Sequence, residues 1–300
     1  MDSLELLTFR MKESTPTLLL GAGFSVGAIN AQNKPLFIGK QLANYLHDYF
    51  YIKRAPSKYT RKELDEINAA KDNLREICTF IASEGRRADR DLLIQEVYSG
   101  SIPSNKQVLH KLTAYNWQSI FTLNVDDLVE NIYRIQDQSL NVWNKSSYGK
   151  RKDFKAPTLI KLHGCINDIN SGLIFDDDEY RSFTASQDCL LKEFAHEFIS
   201  NDVILLGTEF QEEDLQIAIK IYEQSGYDGS GNQYFIISPG INSLKMRNIL
   251  GNLSNFHWIK MTAEDFLTHI SEKITTPIGA HKLLKEKGVI FINYIFMLIM

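Results

Sequence analysis

The chain reads as an α/β protein: a parallel sheet covered by helices on both faces, with a smaller helical module inserted. Three observations predict this. Apolar runs of four to six residues recur at 17–20, 118–123, 158–162, 202–206 and 233–238, with a last short one at 256–260. Helical patterns separate most of them, at 126–135, 187–200, 212–224, 243–250 and 262–270. Continuous apolar strands alternating with helices bury both of their faces, which is the pattern of a parallel sheet. Finally, the first run stops at Gly21-Ala22-Gly23. A strand ending in glycines is how such sheets bring backbone N–H groups up to a phosphate.

Taken in order, residues 2–11 form a short helix with Leu4, Leu7 and Phe9 available to pack. The first strand follows Pro16. At its end Gly21 permits a tight turn, and Gly23 removes a Cβ that would block a pyrophosphate. The spacing G-x-G-x-x-x-G departs from the usual dinucleotide fingerprint. By itself it fits a phosphate cradle and a ligand-free strand end equally. The loop at 30–39 is long for a strand–helix connection and has the length of a functional lid. Residues 40–51 carry Leu42, Tyr45, Leu46 and Tyr49 at helical spacing.

Residues 52–115 lack strand signals. A capping box, T-R-K-E at 60–63, opens an apolar period through Ile67, Ala70, Leu74, Ile77 and Ile81. A second helix spans 89–97, and another capping box, S-N-K-Q at 104–107, opens a third that runs to Tyr115. The stretch is either a module inserted after the first strand–helix unit or plain helical cover for one sheet face. The expected domain plan is one nucleotide-binding domain over 1–275, with this module inside it, and an apolar tail over 276–300. The twelve residues at 289–300, apolar except for Asn293, are too few for a bilayer span, which needs about twenty. They suit a docking strand or helix, or the start of a longer segment.

The 300 residues are 44% hydrophobic and 23% charged, with a net charge of −4. No basic excess exists to neutralise nucleic-acid phosphates. Five Lys or Arg between 145 and 155 read as a solvated loop. The three cysteines, Cys78, Cys165 and Cys189, include no C-x-x-C pair, which argues against a zinc ribbon and a disulfide framework. The first residues carry Asp2 and Glu5 and no apolar stretch of signal-peptide type, so the cytoplasm is the expected compartment. The acidic run at 176–179 reads as a solvated loop, because no glycine stands where a calcium loop needs it. No metal site is expected.

Ligands of open parallel sheets bind outside the carboxyl ends of the strands. Those ends carry G-A-G-F-S at 21–25, N-V-D-D at 124–127, H-G at 163–164, G-T-E-F at 207–210 and S-P-G at 238–240. Five strand ends bearing glycine, short polar residues or histidine read together as the rim of one nucleotide cleft.

In order and spacing, G-A-G-F-S at 21–25, T-L-N-V-D at 122–126, K-L-H-G at 161–164 and G-T-E-F at 207–210 resemble the motifs of the sirtuin (SIR2) superfamily. The likeness is closer to its bacterial SIR2-like branch, found in antiphage defence proteins, than to protein deacetylases. It covers about residues 15–270, and the segment 172–183 resembles that branch too, with Tyr180 at its most typical position. The resemblance implies a Rossmann-like sheet that takes NAD as substrate. It implies that Gly21, Ala22, Gly23 and Ser25 line the pyrophosphate, with Thr122 in the same cofactor set. Gly207 and Thr208 would lie under the phosphates or the adenine-side ribose, and Ser238 near the adenosine. Turn chemistry explains Gly207 and Ser238 equally well.

Breaking the bond between ribose and nicotinamide passes through an oxocarbenium-like transition state. An imidazole near its ordinary pKa suits a general base at neutral pH, which makes His163 the candidate. A histidine hydrogen-bonded in a turn is the plainer alternative. Asn124 would orient water or bind ribose by resemblance, or else cap the helix that follows. Asp126 would hold the carboxamide by the same resemblance, whereas Asp127 suits a surface or first-turn position. Deacylases carry two C-x-x-C pairs soon after H-G, and Cys165 stands alone here. Leu123 and Glu209 also replace their usual Gln and Ser. The expected activity is therefore metal-independent NAD hydrolysis, in bacterial antiphage defence, held in check by a homo-oligomer or a partner protein. The alternatives are a non-catalytic NAD or ADP-ribose sensor that regulates a partner, and a deacylase or ADP-ribosyltransferase.

Overall fold

The computed structural model describes residues 1–53, 59–104, 108–150, 153–185, 188–208, 216–217, 220, 231–240 and 255–274. The tail, the helix expected at 243–250, the box residues 105–107, Glu209–Phe210 and, apart from residues 216–217 and 220, the helix expected at 212–224 lie outside the described residues.

The chain opens with α1 (Ser3–Glu13), capped by Asp2 in a capping box with Glu5. Strand β1 (Thr17–Leu20) follows, then a 3-10 turn over Ala22–Ser25 and the two-residue β2 (Ala28–Ile29). Next come α2 (Gly39–His47), α3 (Arg61–Ala69), α4 (Leu74–Ser83), α5 (Arg87–Tyr98) and β3 (Ile102–Pro103), which pairs with β2. After β4 (Ser119–Thr122) come α6 (Leu128–Ile135), β5 (Asn141–Trp143) and β6 (Thr158–Lys161). The described remainder is α7 (Asp177–Ala185), α8 (Cys189–Ser200), β7 (Val203–Leu206), β8 (Tyr234–Ile237), β9 (Phe256–Ile259) and α9 (Ala263–Lys273).

Seven strands form one sheet in the order β5-β6-β4-β1-β7-β8-β9, and every pairing is parallel. The α/β expectation holds. The alternation of side chains along each strand divides the interior in two. Leu18, Leu20, Ile120, Ile204 and Phe235 face a core built with α1, α2, α4, α5, α6 and α9. Leu19, Phe121, Ile160, Leu205 and Ile236 face a second core closed by Phe183 of α7 and by Leu190, Phe194 and Phe198 of α8. Both faces are dry, so the strands show unbroken apolar runs.

Several local expectations change. The helix read through 60–81 is two helices, because Asn73 turns the chain and caps α4 by accepting from the Glu76 N–H at 3.3 Å. The expected third helix is only a 3-10 turn, Leu109–Ala114, and the Ser104 hydroxyl donates to the Gly27 carbonyl instead of capping it. The edge strand β5 is too short and polar to stand out in the sequence. The acidic run is not a solvated loop. It begins α7, and Asp176 is buried between Arg87 and Arg90 of α5, at 2.7 and 3.0 Å. Nor is Asp127 a surface residue: buried, it accepts the Gly100 and Ser101 N–H groups at 3.0 and 2.7 Å.

The chain passes from β6 across to β7, on the far side of β1. The strand order therefore reverses beside β1, and the ends of β1 and β7 meet at this switch point. In such sheets the ligand crevice opens at the carboxyl ends there.

Candidate functional site

Backbone packs on backbone at the switch point. Gly21 donates its N–H to Leu206, and Gly23 donates to Gly207. A Cβ on Gly21 would lie 2.6 Å from the Gly207 carbonyl oxygen, and one on Gly23 2.8 Å from the same atom. Gly207 has φ +72°, and its own Cβ would meet the Phe24 nitrogen at 2.5 Å. These glycines are thus required first by the close approach of β1 and β7, whatever else they accommodate. Thr208 is buried against Gly21, and its hydroxyl has no partner among the described residues.

In front of this junction, Ser25, Asn124 and Asp126 form a chain of hydrogen bonds. Asn124 Nδ2 donates to the Gly21 carbonyl and to Ser25 Oγ, both at 3.0 Å. Ser25 Oγ donates to Asp126 Oδ2 at 2.8 Å, and Asp126 Oδ1 accepts the Leu128 N–H at 3.1 Å. Both Asn124 side-chain protons are committed, so its Oδ1 is the group left to accept from a ligand. Asn124 does not cap α6; Asp126 takes the first free N–H of that helix. Thr122 is buried behind the loop, where its hydroxyl accepts the Asn124 backbone N–H at 3.0 Å.

Beneath the loop lies Lys161, fully buried on β6. Its ammonium donates to the Asp126 carbonyl and to Glu130 Oε1, the latter at 2.9 Å. Burial by itself would lower this ammonium, but the surrounding acidic groups, Glu130 and Asp126, and the hydrogen bond to Glu130 together outweigh it and raise the pKa, which favours the charged form. Burial also pushes the Asp126 carboxyl above the usual carboxylate range, against the pull of Lys161 and of the Ser25 hydroxyl. A charged lysine two residues before His163 therefore fixes the loop that carries Asn124.

His163 leaves the end of β6 and is followed by Gly164, whose φ is +95° and whose Cβ would lie 2.3 Å from the Gly172 carbonyl oxygen. The His163 ring meets Tyr180 edge-on at 5.3 Å and Phe183 at 6.1 Å. The Arg75 guanidinium lies over the Tyr180 ring, 4.4 Å from its centroid, while its Nε donates to Asp177 at 2.5 Å.

These residues border one cavity of about 240 Å³. Ala22, Ser25, Asn124, Asp126 and His163 all line it. Gly21 adjoins it through its bond to Asn124, and Gly23, Gly207 and Thr208 support the turn from behind. Thr122 holds the loop without lining the cavity. Ser238 lies apart, at the end of β8, where its carbonyl accepts from the Trp258 indole at 3.1 Å. Sequence reasoning missed the opposite wall, made by Phe37, Leu74, Arg75 and Tyr98 together with Phe175. Nothing in an amphipathic helix marks which of its charges will face a cavity. Among the described residues no cluster of three His, Cys, Asp or Glu could hold a metal ion, and no helix is long and apolar enough to cross a membrane.

No curated protein matches this chain. Residues 118–259, from β4 through β9, match the model of the SIR2-like domain family. That span contains Asn124, Asp126 and His163, while the glycine turn and the cavity wall from α4 precede it. The ordered motifs and the parallel sheet agree with this match: over residues 118–259 the chain is similar to the SIR2-like domain family.

Proposed function

We propose that the protein is an NAD glycohydrolase that releases nicotinamide and leaves ADP-ribose. The observation that carries this reading is the convergence of Asn124 and His163, from neighbouring strand ends, on one cavity beside the glycine turn. A cavity of 240 Å³ is smaller than the roughly 300–1,000 Å³ that encloses a drug-sized ligand. It suits one end of a dinucleotide, nicotinamide with its ribose, with the diphosphate running out over the 21–25 turn.

In this reading the bond between the ribose C1′ and the pyridinium nitrogen breaks, and its electron pair neutralises the ring. The leaving group needs no proton. Water adds to C1′ on the opposite face and loses a proton to His163, which passes it to solvent. Asn124 Oδ1 accepts from the attacking water or a ribose hydroxyl. Asp126 has lone pairs beyond the two already used, and one of them would accept the carboxamide N–H. The SIR2-like match supports NAD as the substrate. The lone Cys165 at the position where deacylases keep zinc cysteines disfavours acyl-lysine chemistry. A role in bacterial antiphage defence, with an oligomer or partner holding the activity off, rests on the sequence resemblance alone.

Chromatography of NAD incubated with the purified protein tests the proposal. Free nicotinamide and ADP-ribose should appear in equal amounts, and His163→Ala or Asn124→Ala should slow their release by about 10²-fold or more. NAD bound without turnover would instead make the domain a sensor. Product that needs an acylated peptide or a protein acceptor would overturn hydrolysis.

A further inference from the structure

Charge is scarce around the cavity. Asp126, its one acidic wall residue among those described, is held by Ser25 and the Leu128 N–H on the floor. Arg75 of α4 is the one arginine or lysine on its described wall. This side chain is 40% exposed, so it stands at the mouth. Its direction is set twice, by the Nε–H to Asp177 and by the Tyr180 ring beneath it. A guanidinium held in a fixed plane presents its fork of donors in the geometry that a phosphate accepts. The Tyr180 ring also contacts the His163 ring at 5.3 Å. The guanidinium and the imidazole therefore contact the same aromatic ring and border the same cavity.

Resting on the hydrolase reading, we propose that Arg75 binds the 5′-phosphate next to the nicotinamide ribose, so that the helical module supplies the substrate's anion contact. The module is then part of the binding site, and the enzyme distinguishes nicotinamide nucleotides from the uncharged riboside. Asp177 is one resting partner that the phosphate partly replaces.

Three substrates separate this role from a pin between α4 and α7. Nicotinamide release is measured from NAD, from nicotinamide mononucleotide and from nicotinamide riboside, which lacks the phosphate, with wild type, Arg75→Gln and Asp177→Asn. Loss of a charge-assisted hydrogen bond should lower kcat/KM of Arg75→Gln for the two phosphorylated substrates by about 10- to 100-fold relative to the riboside, mostly through KM. Asp177→Asn breaks the same ion pair but keeps the cation, and should retain the wild-type preference for the phosphorylated substrates. An ion pair this exposed adds little to folding, so both variants should fold. Equal loss on all three substrates, or Asp177→Asn behaving like Arg75→Gln, overturns the inference and leaves the hydrolase reading standing. Calorimetry with ADP-ribose covers a wild type without turnover. Weaker binding by Arg75→Gln supports the phosphate contact, equal binding refutes it, and no binding by wild type refutes both readings.

Discussion

Gly207 bears on the site although it does not line it. At φ +72°, with the Phe24 nitrogen 2.5 Å from any Cβ, it has no room for alanine. A left-handed conformation costs a non-glycine residue about 1–3 kcal/mol, and the contact forces β1 and β7 apart besides. Gly207→Ala should therefore lower the urea midpoint, with an unfolding free energy reduced by at least this amount. It should also displace Gly21, the acceptor that orients Asn124, and so lower ligand affinity in whatever protein still folds. An unchanged midpoint would mean that the junction is looser than described. The strand-end glycines were legible as a special place in the sequence. Their reason was not, since a clash between residues 21–24 and 207 exists only once two distant strands lie side by side.

At the scale of elements, the start of α7 is bound to α5. Asp176 Oδ1 accepts the Asp178 and Glu179 N–H groups at 3.0 Å, and Oδ2 meets Arg87 and Arg90. Arg90, itself fully buried, also reaches Glu179 at 2.7 Å. This network orients the helix that carries Tyr180 against His163. Burial alone would raise the Asp176 carboxyl, but Arg87, the Glu179 N–H and Arg90 outweigh it and hold the pKa below its usual range. The folded protein therefore holds this proton more weakly than the unfolded chain does. The stability it adds is complete above the ordinary carboxylate pKa near 4, and is lost as pH falls through the depressed value. Asp176→Asn leaves Arg90 short of a buried counter-charge and should cost about 3 kcal/mol at neutral pH. In denaturant titrations the gap between wild type and variant should close below about pH 4. A gap that persisted unchanged into acid would contradict the role given to this carboxylate. The sequence showed only four acids in a row, which suits water as well as it suits two arginines on a helix 86 residues away.

At the scale of the whole molecule, the proposed ligand gives a test through folding. A group that binds only the folded chain stabilises it by mass action, by about 2.7 kcal/mol at one hundred times its Kd. ADP-ribose at that concentration should raise the unfolding free energy accordingly, and Asn124→Ala should reduce the shift. No shift at millimolar ADP-ribose would speak against a dinucleotide site. Much of the architecture was present in the one-dimensional pattern. Apolar runs of strand length, each ending in a small or polar residue, declare a two-sided sheet with its working edge at the carboxyl ends, because burial and backbone geometry act over a few neighbouring residues. Asn124, Asp126 and His163 were legible in this way as strand-end residues, with the roles of Asn124 and Asp126 suggested by resemblance. Folding alone decided that they share a cavity, that Lys161 and Glu130 underpin them, and that Arg75 and Tyr180 close the far wall. Those contacts join residues separated by much of the chain, and their distances depend on how helices pack across a sheet rather than on any local preference.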